Sequence, residues 1–423
     1  MKTQSIYNSK IYSIYIYIIF FFYLYSIEFI GVPLNLGTRV ILGLIGLIVY
    51  LVNNKKINYI NKNYIYLYVF LIIISLYSLI SIVYNRSYDI EFFLKYPISI
   101  IIILSSSYYV KKIIINKYKE KTFEKVIEIF INAVVIQIII SLIMFTTPIV
   151  RDFLTNIQVN SEYELAVLNE SINYRLNGFG ARFFGAGIVN GFALIFIATL
   201  LKKTNKDTKT LYLTIKFIFI FIFGMAIART TIIGFILSLV VLFYPQKTLS
   251  ITKIKTQFKF IFFIITIPIL VFILLLILFP NSLEKLQSNF EFGFELILNS
   301  INSKSFETES TNQMLNMYIW PSTFKTYLIG DGLYTDPVTK KYYMGTDIGY
   351  LRLIYYFGII GLISYFIFQI VLIKSIYKLN REYKFTFIII FIYLITLNFK
   401  GFTDFFYICI LFLYSKSTQN NLK

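Results

Sequence analysis

With no histidine and a single cysteine, the chain excludes disulfide frameworks, His-based metal sites and histidine general bases. Carboxylates and guanidinium groups are left to do any chemistry. Lysine is the default cation, with 32 copies against eight arginines, so the arginine positions are informative. Arg39, Arg86, Arg151, Arg175, Arg182, Arg229 and Arg352 fall on one side once the chain is oriented by its charges, and only Arg381 falls on the other. That bias points to a need for the planar fork that grips phosphate or carboxylate with two hydrogen bonds.

Four of these arginines lie next to apolar runs. Arg175 and Arg182 sit in Tyr174-Arg175-Leu176-Asn177-Gly178-Phe179-Gly180-Ala181-Arg182, whose glycines let backbone and ligand approach closely. Arg229 occupies the short hinge Ala228-Arg229-Thr230, at the surface or pointing into the bundle, with a snorkelling helix-end charge as the plainer alternative. Arg352 lies just inside the next apolar run, after Gly345-Thr346-Asp347-Ile348-Gly349-Tyr350-Leu351, and ionisable groups in such places are costly to keep. Asp347 reads either as a general base or as the N-cap of a helix beginning near Gly349. Asp331, between Gly330 and Gly332, reads as a turn residue.

The elements that must hold these groups follow from composition. The chain is 57% hydrophobic and only 14% charged, with a mean hydropathy of +0.72, which indicates an all-α polytopic membrane protein rather than a soluble one. About twelve spans are expected by length, at residues 11–30, 36–52, 64–83, 96–110, 126–145, 183–201, 211–228, 230–244, 260–279, 349–373, 385–398 and 402–414. They form a single membrane domain over 1–423 with two long loops, 146–182 and 280–348, the later one partly ordered. With the N-terminus inside, 26 of the 40 basic residues but only five of the 21 acidic ones lie on the inner side. The net charge of +19 is then the positive-inside pattern and does not signal nucleic acid. Both termini are expected in the cytoplasm and both long loops outside. Phe290-Glu291-Phe292-Gly293-Phe294-Glu295 alternates like a strand but equally fits an interfacial helix. Trp320 and the span-end tyrosines fit an aromatic belt, with sugar stacking a second option for Trp320 and Tyr350.

The order and sidedness of these features resemble a polymerase of the Wzy type, which makes O-antigen or capsular polysaccharide, within the O-antigen ligase and polymerase superfamily. The likeness rests on the Gly-rich segment around Arg175, the Ala228-Arg229-Thr230 hinge, and Leu328-Ile329-Gly330-Asp331-Gly332 followed by Thr346 to Arg352 with Gly358 and Gly361. It implies a metal-independent glycosyltransferase that uses no cofactor and sits in the bacterial inner membrane. That enzyme would join undecaprenyl-diphosphate-linked oligosaccharide repeat units on the external face, with a chain-length regulator as a further partner beside the lipid bilayer. In this reading Arg229 and Arg352 stabilise the diphosphate leaving group and Asp347 deprotonates the acceptor hydroxyl, with Glu170 as the second choice of base. Arg175, Arg182, Glu170, Tyr350, Gly330 and Gly332 would contact diphosphate or glycan. Related ligases carry a histidine where this chain has Asp347. A lipid-linked-oligosaccharide flippase is the competing class, but carriers keep charges within spans and show related halves, and neither pattern is present here. A ligase of the same superfamily is the third reading.

Overall fold

The computed structural model describes residues 10–53, 62–119, 122–180, 183–204, 207–244, 283–302 and 308–413. Among them are helices and three isolated bridges but no strand. Six helices are long and apolar enough to cross a membrane: Ile65–Asn85, Glu91–Tyr118, Thr122–Thr146, Phe183–Lys203, Asp207–Ile227 and Gly349–Leu379. Three shorter apolar helices, Lys10–Tyr25, Thr38–Val52 and Thr231–Phe243, match further expected spans. The chain is therefore an all-α protein with several membrane-length helices. The expected span 260–279 lies outside the described residues.

Two sequence expectations change. The run 402–414 does not form one helix. Asn398 Oδ1 accepts from Thr403 N, Thr403 Oγ1 donates to Gly401 O, and Asp404 Oδ1 accepts from Phe406 N, so local side-chain bonds replace the helical ladder. Only the short helices Phe406–Cys409 and Ile410–Phe412 follow. Asp404 also accepts from Gln369 Nε2 and so ties this segment to the Gly349–Leu379 helix. The first long loop is not irregular either. It holds Pro148–Asn156, started by a proline in its first turn, and Glu162–Ser171, started by a Ser161/Glu164 capping box.

The described chain divides into two compact units. The first comprises Met1–Thr38 and Lys121–Glu307. Its centre is the Phe183–Lys203 helix, buried on all sides from Ala186 to Leu201. Small residues permit this, because Thr231–Phe243 crosses it where a Cβ on Gly234 would stand 2.2 Å from Gly191 Cα. The segment 290–295, ambiguous in sequence, is helical within Leu283–Asn302.

The second unit comprises Arg39–Glu120 and Thr308–Lys423. Its principal helix, Gly349–Leu379, is interrupted at Phe357 and Gly358, the latter with φ 72° and ψ −176°. The break takes Tyr355 and Tyr356 carbonyls out of the ladder. A crossing loop satisfies them: Asp331 N donates to Tyr355 O at 2.6 Å, and Gly332 N donates to Tyr356 O at 3.0 Å. Ser81 Oγ donates to Tyr356 O as well, and Asn85 Nδ2 to Gly330 O. The buried ammonium of Lys111 donates to the carbonyls of Ile410 and Leu413, at the last short helix.

Candidate functional site

Two arginine clusters form, one in each unit. In the first, the Asp207–Ile227 helix ends at the hinge and Arg229 follows immediately. Its guanidinium pairs with Glu295 and lies over the Phe292 ring, 4.4 Å from the centroid. Phe292 and Glu295 are three residues apart on one helix, which sets them on the same face. Arg175 approaches the same ring at 5.2 Å, covers Phe183 at 4.4 Å, and donates from Nε to Ile227 O at 2.8 Å. The backbone is fixed alongside, since Leu176 N donates to Ala226 O.

Two guanidinium groups thus share one aromatic ring, and of the two Arg229 alone is paired with a carboxylate among the described residues. Burial, and then the neighbouring Arg229 charge, push Arg175 down to about 10, so it remains a cation near neutral pH. Among the described residues the cluster keeps surplus positive charge, and the Arg175 Nη donors, free of any ion pair there, have the chemistry to hold an oxyanion such as a phosphate. Arg182 lies outside the described residues. Glu170 is exposed on the Glu162–Ser171 helix and pairs with neither Arg175 nor Arg229.

In the second cluster Asp347 precedes the Gly349–Leu379 helix and Arg352 lies in its first turn. The N-cap position belongs to Ile348 and carries no side-chain cap bond, so the capping alternative for Asp347 is corrected. Its carboxylate instead accepts from Arg352 Nη1 at 3.2 Å. The Arg352 guanidinium lies over two rings, Tyr334 at 3.7 Å and Tyr342 at 4.6 Å, and only 11% of the side chain is exposed. Its Nε is buried without a hydrogen-bond partner among the described residues. Burial also raises the Tyr334 phenol, which stays protonated beside the cation. Tyr334 is placed through its own backbone, because Asp89 Oδ2 accepts from Tyr334 N at 2.8 Å and Thr335 N at 3.2 Å.

Asp347 itself is raised above an ordinary carboxylate. Burial is the dominant cause, and the opposing pull of Arg352 and a Tyr342 hydrogen bond does not cancel it. A raised carboxylate is a better base than a solvated one, which removes part of the difficulty of using Asp here. The sign for stability follows: the folded state holds this proton more tightly than the unfolded chain, so folding stability from Asp347 falls as pH rises between the ordinary value and the raised one. For activity that needs the ionised form, the acid limb is expected above the range of an exposed carboxylate. Arg352→Gln should move that limb higher still, and pH–rate profiles of the two proteins check it; an unchanged limb would show that the ion pair does not govern Asp347.

The remaining expected residues make packing and backbone contacts of their own. Tyr350 donates to Ile395 O and stacks on Phe366 at 5.4 Å, anchoring two helices to each other. Gly330 and Gly332 adopt left-handed conformations where the crossing loop meets the helix break. Asp331 is more than a turn residue: its carboxylate accepts from Lys325 Nζ, Thr326 Oγ1 and Tyr343 OH. Burial, and then that contact, push Tyr343 up to about 12. Sequence reasoning missed Phe292, Glu295, Tyr334, Tyr342 and Asp89. The Phe292–Glu295 spacing was the one available signal, and it is visible only once the segment is read as helix. No family model, curated protein or solved structure matches this chain.

Proposed function

We propose that the chain is a Wzy-type polysaccharide polymerase. In this reading about twelve spans place it in a bacterial inner membrane with both termini in the cytoplasm. It joins undecaprenyl-diphosphate-linked repeat units on the external face, and a chain-length regulator is its partner. The observation that carries the reading is the Arg175–Arg229 pair on Phe292. Surplus guanidinium charge at the ends of apolar helices suits a diphosphate that must stay at the membrane surface while its lipid stays in hydrocarbon. In the reaction the acceptor hydroxyl oxygen forms a bond to the anomeric carbon as the bond to the diphosphate oxygen breaks. The hydroxyl proton passes to Asp347, and the leaving diphosphate takes the electron pair, its charge met by Arg352 beside that carboxylate.

Deleting the gene and measuring glycan length tests this. Single repeat units on the lipid or on the acceptor core are expected, with long chains restored by the wild-type copy. Arg229→Lys should restore them poorly at equal membrane levels, because a point charge replaces a fork that meets Glu295 and lies flat on Phe292. Trapping of lipid-linked units on the cytoplasmic face would instead identify a flippase and end the polymerase reading.

A further inference from the structure

The first unit holds a polar cleft that the proposed chemistry does not use. A cavity of about 490 Å³ opens between the Lys10–Tyr25, Thr122–Thr146 and Asp207–Ile227 helices, lined by Tyr17, Glu128, Asn132, Lys209, Tyr212 and Lys216. The lysine distribution assigns this end to the cytoplasm, opposite the side expected for Arg229.

Its charges do not balance. Glu128 accepts from Lys125 Nζ at 2.5 Å and from Lys209 Nζ at 3.1 Å, so one carboxylate already faces two ammonium groups. Lys216 adds a third cation. It donates to Asn132 Oδ1 and to Tyr212 OH, lies 4.0 Å from the Tyr212 ring centroid, and meets no carboxylate among the described residues. Asn132 is oriented for this by donating from Nδ2 to Tyr17 OH at 3.0 Å. Lys216 stands nine residues into its helix, roughly 13 Å along the axis at 1.5 Å per residue. A cation that deep in an apolar helix is costly unless something answers it. The helices that carry the lining also expose apolar side chains, Ile14 and Ile18 on the one with Tyr17, Leu211 and Ile215 on the one with Tyr212.

We propose that this cleft binds the phosphate of an anionic phospholipid, with Lys209 and Lys216 on the headgroup and the acyl chains along the exposed isoleucine and leucine faces. Cationic clefts between membrane helices recognise anionic lipid in this way, and the flanking apolar surface favours a lipid over a soluble phosphate ester. The site is independent of the polymerase reading and needs no glycan.

The full chain, reconstituted in phosphatidylcholine nanodiscs, would be titrated with dioleoylphosphatidylglycerol and followed by native mass spectrometry and thermal midpoint. Retention of phosphatidylglycerol and a rise in midpoint are expected. Lys209→Gln and Lys216→Gln should each weaken binding about fivefold, the scale of one lysine at an anionic surface. Lys374→Gln, an equal charge change at an exposed position on another helix, should leave it unchanged. If Lys216→Gln lowers the midpoint in phosphatidylcholine alone, Thr208→Glu replaces it, adding a carboxylate at the exposed start of the helix with the same expected loss. Equal retention of phosphatidylcholine and phosphatidylglycerol overturns the proposal, as does full binding by the cleft variants. Stabilisation by soluble glycerol phosphate equal to that by the lipid overturns the lipid as ligand and leaves a soluble phosphate in its place.

Discussion

Gly358→Ala is expected to destabilise the second unit by on the order of 3–5 kcal/mol, since it combines a glycine-only backbone conformation with a backbone collision. At φ 72° and ψ −176° a side chain is strained whatever surrounds it. Here the space is filled too, because a Cβ would stand 2.2 Å from Leu328 O. That carbonyl has little room to retreat. It accepts from Tyr77 OH at 2.8 Å, and the next residues are pinned by Asp331 N and Gly332 N on the carbonyls of Tyr355 and Tyr356. Shifting the loop would therefore strand the carbonyls freed by the helix break, and each buried unsatisfied group costs about 1–3 kcal/mol. Thermal unfolding in detergent, read by fluorescence-detected size exclusion, should show a large fall in midpoint. Gly185→Ala is the control, as nothing lies within 4 Å of the added methyl and the backbone there is ordinary. If both variants melt together with wild type, the described crossing is not the native one.

The same crossing shows what a sequence can reveal. Helix positions were legible wherever hydrophobic length alone decides them. The span expected at 183–201 is the Phe183–Lys203 helix, and the one expected to start at Gly349 does so. The interruption inside Gly349–Leu379 was not legible, although Gly358 was noted. Its cause lies about thirty positions upstream, in the loop that supplies replacement donors, and in Ser81 further still. Site residues divide in the same way. Asp347 and Arg352 are five apart and were visible as a carboxylate and a guanidinium at one helix start. Tyr334 and Asp89, which complete the setting of Arg352, are joined to it by folding rather than by spacing. Glu295 was hidden by its own neighbourhood, where alternating phenylalanines imitate a strand.

If the chain is the proposed polymerase, Arg352→Lys should lower polymer formation by about a hundredfold while leaving the charge in place, on the scale of removing one preorganised donor from a charge-stabilising site. Tyr334 and Tyr342 explain why lysine cannot substitute. Their ring centroids lie 3.7 and 4.6 Å from a flat guanidinium that donates from Nη1 to Asp347. An ammonium on a flexible stem reproduces neither the ring contacts nor the planar set of donors. Ladder length from purified protein and lipid-linked repeat units measures the effect. Tyr342→Phe keeps the aromatic face and removes only the hydroxyl that reaches Asp347, so it should retain most activity but move the acid limb upward, since that hydrogen bond holds the carboxyl down. Wild-type ladders from Arg352→Lys would mean that positive charge alone suffices, and the tyrosine contacts would then be packing with no bearing on the reaction. Loss in both Arg352→Lys and Arg352→Ala, with the Tyr342→Phe limb displaced, would tie the geometry of one guanidinium to the chemistry of one carboxylate.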